Sequence, residues 1–180
     1  MCARTRSTAP PPDDEPDADK KLEIAAIRLL ARREHSTEEL KRKLLRKGFG
    51  AEAVERVVQK LAAKRLVSDA RFVASFIRHH AARGRGPVRI RAELRQQGIA
   101  DEHIEEALEA AELDWVRLAC EVRARKFGSG RPSSVAERAK QARFLQYRGF
   151  TADQIRVALI DQGEGRVDLD SEPCDPAWPD

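Results

Sequence analysis

The chain has 180 residues, of which 36% are charged, 41% hydrophobic and only 5% aromatic. No segment reads as a membrane span or an apolar signal core, and Cys2, Cys120 and Cys174 lack the short spacing of a zinc site or disulfide framework, so a reducing cytoplasm is the expected setting. The formal charge of +4 is segregated: residues 1–19 carry two basic and five acidic groups and residues 161–180 carry one and seven, leaving +13 on residues 20–160. A basic body between acidic ends points to a polyanionic partner such as nucleic acid or a nucleoprotein.

Residues 1–19 are rich in Pro and Asp and read as a disordered tail. Order is expected from Lys20, where Leu22, Ala25, Ala26, Leu29 and Leu30 recur at helical spacing in a helix that should stop near His35. Ser36 to Glu39 then fits a capping box, in which Ser36 takes a free N–H and Glu39 reaches back. The next helix should bury Leu40, Leu44 and Leu45 and end at a left-handed Gly48, and Val54, Val57, Val58 and Leu61 form the stripe of a third helix.

The plan then repeats. Ser68 or Asp69 caps a helix with Phe72, Val73, Phe76 and Ile77 on its inner face, and the Arg83-Gly84-Arg85-Gly86 hinge leads to Pro87 at the first turn of another. Trp115, Leu118, Ala119 and Val122 make the inner face of a seventh helix, ending near Gly128, with further capping boxes at Ser134–Glu137 and Thr151–Gln154. Gly48, Gly98 and Gly149 lie 50 and 51 residues apart, and counting from them aligns Leu44, Leu94 and Leu145. The triplets Val54, Ile104, Ile155 and Val58, Leu108, Leu159 follow in the same register.

The expected fold is therefore all-α. Three tandem three-helix, helix-turn-helix-like repeats, at 20–66, 67–112 and 113–160, stack into an elongated, curved solenoid, with 161–180 as an acidic disordered tail. Units this small cannot bury their own apolar faces, so each covers its neighbour. A self-capped array of this size is expected to be a monomer.

Enzyme chemistry finds no foothold in the sequence. The Gly-Arg-Gly-Pro stretch lacks the pattern of a phosphate-binding loop, and His35, His79, His80 and His103 are scattered and read as surface residues. No catalytic residue, cofactor site or metal site is expected. The basic residues carry the candidate function. On the second helix Arg42, Lys43, Arg46 and Lys47 fall opposite the leucines; the second unit adds Arg83, Arg85, Arg89, Arg91 and Arg95. The third offers Arg138, Lys140, Arg143 and Arg148, and the sharpest candidates there are Arg143 and Arg148. If the stacked units expose these helices together, a basic stripe runs along the solenoid, with arginine forks suited to phosphate or carboxylate. Phe49, Phe72, Phe76 and Phe150 read as core, whereas Phe144 and Tyr147 sit off the Leu145 position and are candidates for partial exposure and base stacking.

The stretch from Asp69 to Ile99, DARFVASFIRHHAARGRGPVRIRAELRQQGI, resembles the most characteristic segment of the RecX family of recombination regulators. ARREHSTEELKRKLLRKGF before it and ARFLQYRGFTADQI after it resemble that family's flanking signatures, so the likeness runs from about Ala25 to Ile160. The family pattern maps onto Asp69, Arg71, Phe72, Phe76, Gly84, Gly86, Pro87, Arg89, Ile90, Leu94 and Gly98. His79-His80 and Gln97 depart from it, standing where basic residues are common. The resemblance implies a non-enzymatic modulator of the RecA recombinase that lies in the groove of the RecA–DNA filament and inhibits its ATPase, strand-exchange and coprotease activities. It also implies weak, electrostatic contact with single- and double-stranded DNA and no membrane partner. Two other readings fit the residues alone: a helical DNA-binding protein that acts by competing for DNA, and an adaptor solenoid with a protein partner only. The acidic tails, beside so basic a body, are expected to screen its basic face.

Overall fold

The computed structural model describes residues 15–160. Among the described residues there are nine helices and no strand: α1 Glu15–Leu30, α2 Thr37–Leu45, α3 Ala51–Ala63, α4 Asp69–Ala82, α5 Pro87–Gln96, α6 Asp101–Ala110, α7 Trp115–Phe127, α8 Val135–Arg148 and α9 Ala152–Ile160. The expected tail at 161–180, most of that at 1–19, Cys2 and Cys174 lie outside the described residues. Helix α1 starts five residues before Lys20. Pro16 falls in its first turn, where a missing N–H costs nothing, so a segment that reads as tail begins a helix. The same helix stops at Leu30 rather than near His35, and the chain turns through residues 31–33 to bring Ser36 to the start of α2.

The helix starts are built as their residues require. Ser36, Ser68, Asp114, Ser134 and Thr151 each accept the backbone N–H three residues on. Only Thr151 and Gln154 close the reciprocal box, with the Gln154 side chain accepting from the Thr151 N–H at 2.9 Å. Glu137 reaches back one residue further, to the Ser133 N–H. Glu39 does not reach back at all; Arg33 and Lys43 hold its carboxylate instead. Cations within ion-pair distance outcompete a neutral N–H for that acceptor.

Each repeat encloses its own core, against the expectation that a unit of this size needs its neighbour's cover: three helices suffice to close over a cluster of seven to nine buried side chains. Leu40, Leu44, Val54, Val58 and Leu61 close over Leu22 and Ala26 in the first; Phe72, Ile77, Ile90, Leu94 and Ile104 form the second; Ala119, Leu145, Phe150, Ile155 and Leu159 form the third. Every member of the aligned triplets is buried. Leu45 is not: it is 44% exposed, because Leu40 and Leu44 already define the inner face of a nine-residue helix and position 45 lies about 100° away from Leu44. Trp115 and Leu118 also depart from the expected pattern, since Trp115 packs on the second core and Leu118 on both the second and the third. The start of α7 thus bridges two repeats.

Between repeats, the joins are made by helix ends. The Gly86 N–H donates to the Arg148 carbonyl at 2.8 Å and the Val88 N–H to the Gly149 carbonyl at 3.0 Å. The free donors at the start of α5 thereby meet the free acceptors at the end of α8. A Cβ on Gly86 would lie 2.3 Å from the Gly149 carbonyl oxygen, and one on Gly149, whose φ is +89°, would lie 2.3 Å from the Arg89 Cβ. The first seam has the same sense: the Ser36 hydroxyl donates to the Gln97 carbonyl at the end of α5, and the Thr37 N–H donates to Asp69 Oδ1 at 2.7 Å. Arg71 adds an ion pair to Glu34 across that seam at 3.0 Å. The middle helices therefore abut end to end, α8 to α5 to α2.

Candidate functional site

The predicted basic residues separate into three groups once their neighbours are known. Arg91 and Arg95 are held inside the second repeat. Arg91 forks onto Glu105 and Arg95 onto Asp101, each through two nitrogens, and these bonds raise both guanidinium pKa values and lower those of the two carboxyls. Lys43 is likewise engaged, 3.1 Å from Glu39 and donating to His35 Nε2 at 2.9 Å. Arg42 is exposed and spends its fork on the first seam, donating to the Gln97 side chain at 2.8 Å. Gln97 places an acceptor rather than a like charge beside Arg42.

A second group is exposed and has no hydrogen-bond or ion-pair partner among the described residues: Arg46 and Lys47 at the end of α2, and Arg143 on α8. Arg138 and Lys140 are exposed near the start of α8.

The third group converges at the second seam. Arg85 and Arg89 share one carboxylate, Glu93, with the Arg89 bond at 2.9 Å. Arg89 also lies 5.4 Å from the centre of the Tyr147 ring and donates to the Tyr147 carbonyl. Arg148 is half-buried, donates to the Arg83 carbonyl at 3.4 Å and lies 5.2 Å from the centre of the Phe144 ring. Burial first, and then the charges of Arg89, Arg85 and Arg125, push its pKa down. Arg125 and Lys126, in the last turn of α7, complete the cluster, and neither they nor Arg148 has a carboxylate at ion-pair distance among the described residues. Between these side chains is an open pocket of about 480 Å³ lined by Arg83, Arg85, Arg89, Lys126, Phe144, Tyr147 and Arg148. Arg83, Arg85, Arg89 and Arg148 line one pocket, while Arg42, Lys43, Arg46 and Lys47 stand apart on the first repeat.

Arg125 and Lys126 lie off the middle helices on which the sequence pattern places the candidate cations; the Arg-Ala-Arg-Lys run near the end of α7 is their signal in the sequence. Arg123 instead is buried in the third repeat, donating to the Gly130 carbonyl at 2.9 Å and to Gln141. This arginine ties the 128–134 connection to the core. Of the histidines, only His79 and His103 are on the surface. His35 is 2% exposed, its Nδ1 donating to the Arg33 carbonyl, and burial pushes its pKa down. His80 packs its ring against Phe76, with centroids 3.9 Å apart, and burial and Arg85 lower its pKa to about 4. Both rings were expected outside because a charged, polar sequence context surrounds them; the turn after α1 and the α4–α5 packing fold over them.

Among the described residues no group of three His, Cys, Asp or Glu could hold a metal ion, and no helix is long and apolar enough to cross a membrane. Fold and site together define an all-helical tandem-repeat protein whose distinctive chemistry is a cationic, aromatic-lined seam. Family models for the first, second and third three-helix domains of RecX match residues 25–61, 68–108 and 112–159. The regulatory protein RecX of Halorhodospira halophila (strain DSM 244 / SL1) is 50% identical over 141 residues, 78% of this chain and 88% of that one. That of Pseudomonas putida (strain GB-1) is 48% identical over 130 residues, 72% and 83% of the two chains. A crystal structure of regulatory protein RecX superposes with a TM-score of 0.70 at 22% identity, covering 82% of this chain and 74% of that one. RecX from Lactobacillus salivarius gives 0.68 at 22% identity, covering 81% and 96%. The chain belongs to the RecX family of regulatory proteins.

Proposed function

We propose that this protein is a non-enzymatic regulator that binds the RecA–DNA filament and inhibits the ATPase, strand-exchange and coprotease activities of the recombinase during DNA repair and the SOS response in the cytoplasm. The observation that carries this reading is the distribution of unpaired cations over the first and third repeats, at the two ends of the array. Arg46 and Lys47 on α2, and Arg143 with the seam cluster on α7 and α8, leave positive charge unspent along the array, while Arg91 and Arg95 are neutralised internally. Separated cations of this kind suit a long polyanionic partner better than a compact ligand. Membership of a family named for regulation supports the same reading.

The test is DNA-dependent ATP hydrolysis by the cognate recombinase on single-stranded DNA, titrated with this protein with DNA in excess. Inhibition well below one protein per recombinase is expected, and inhibition that disappears as DNA is raised would replace filament regulation by competition for DNA. A triple variant, Arg46→Glu, Lys47→Glu and Arg143→Glu, breaks no internal pair. It should keep its helicity and raise the half-inhibitory concentration about tenfold or more; an unchanged value would remove the basic face from the mechanism.

A further inference from the structure

The pocket at the second seam has a feature that electrostatic attachment to a phosphate backbone does not need. Tyr147 is 74% exposed, in the midst of cations rather than over the core. Arg89 covers one face of its ring, and the rest of the side chain faces solvent at the mouth of the pocket. Across the pocket, Arg148 and Lys126 carry charge with no carboxylate among the described residues to balance it. Like charges crowded around the half-buried Arg148 guanidinium raise the energy of the site until an anion arrives. The volume of about 480 Å³ accommodates a nucleotide-sized group.

Resting on the reading above, we propose that this pocket is a subsite for single-stranded nucleic acid, in which an unpaired base stacks on Tyr147 while its flanking phosphates lie against Arg148 and Lys126. Arg89 backs the ring from its other side, and Arg83 and Arg85 rim the opening. The strandedness follows from the chemistry of the ring. A base offers its π-face only when it is unpaired and unstacked, so a duplex gains the phosphate contacts but not the stack. The pocket therefore adds a preference that the exposed cations elsewhere, which see only charge, do not have.

Tyr147 is the sole tyrosine of the chain, so fluorotyrosine incorporation places one fluorine reporter in the pocket. The full chain is titrated, without recombinase, with an oligodeoxynucleotide of about 30 nucleotides, its duplex, or an acidic peptide of similar length. At equal saturation the single strand should shift the fluorine resonance clearly further than the duplex, which makes only the phosphate contacts, or the peptide. By fluorescence anisotropy, Tyr147→Leu should lose about tenfold in single-strand affinity with less than about twofold loss for duplex, and Tyr147→Phe should restore it. Lys126→Gln should lower the salt slope of single-strand binding by about 0.7. An unmoved resonance on single-strand binding, an equal shift with peptide, or equal losses on both DNA forms would overturn the subsite. None of those results touches the recombinase ATPase assay, whose failure would in turn leave the subsite standing.

Discussion

At the scale of single residues, two glycines at the second seam do different work, and substitution separates it. Gly86 has an ordinary φ of −83°, so Gly86→Ala introduces a clash with the Gly149–Phe150 peptide and no backbone strain of its own, and should cost about 1–3 kcal/mol. Gly149 adds a left-handed φ to a Cβ that would meet Arg89, and Gly149→Ala should cost about 2–5 kcal/mol. Gly48, left-handed but with open space around it, supplies the control at about 1–2 kcal/mol. Urea denaturation would rank them, and equal losses at 48 and 149 would deny the seam its tight contact. His80 predicts a pH dependence. Its folded pKa of about 4 lies below the ordinary 6.5, so as pH falls from about 6.5 the unfolded chain takes up a proton that the folded one refuses. Stability is then present above that value and lost on the way down to about 4. His35 acts in the same direction, and Arg83, Arg85, His79 and Glu93 around His80 set its field. Denaturation midpoints should drop between about pH 7 and pH 5, and His80→Leu should flatten part of that drop. Neither ring was legible as buried, because burial there comes from the turn after α1 and from helix packing, which no local pattern announces.

At the scale of elements, the helices themselves were plain in the sequence, since large apolar residues recur in register and every aligned triplet is buried. What one helix does for another was hidden. Asp69 reads as a cap for its own helix, yet its carboxylate accepts the Thr37 N–H at the start of α2. Asp69→Ala should cost about 1–2 kcal/mol and Asp69→Asn less, measured by thermal unfolding, because only an acceptor at that position satisfies the donor. Arg91 and Arg95 illustrate the converse. Helical spacing made them look like free cations beside Arg89, and only the antiparallel return of α6 puts Glu105 and Asp101 in their forks. Charge was countable in the sequence; its availability was not. Tyr147 was visible as a residue off the buried stripe, but the arginine over its ring comes from another repeat.

At the scale of the whole molecule, three cores with little shared side-chain packing make an array whose neighbours meet through side-chain bonds at the first seam and main-chain bonds at the second. Positive charge left over from internal pairing is spread along that array. The acidic residues at 161–180, net −6, belong to the same electrostatic system. Deleting them should raise DNA affinity several-fold at low salt, with the gain fading by about 0.5 M as screening shortens its reach. An affinity unchanged at low salt would mean that these charges do not screen the basic face.

The second seam also bears on how shape is inherited. Two of its hydrogen bonds run from main chain to main chain, and these demand room at Gly86 and Gly149 but almost nothing of the letters around them. A protein joined in this way keeps its silhouette while its alphabet turns over, as the relatives at 22% identity and TM-scores of 0.70 and 0.68 illustrate.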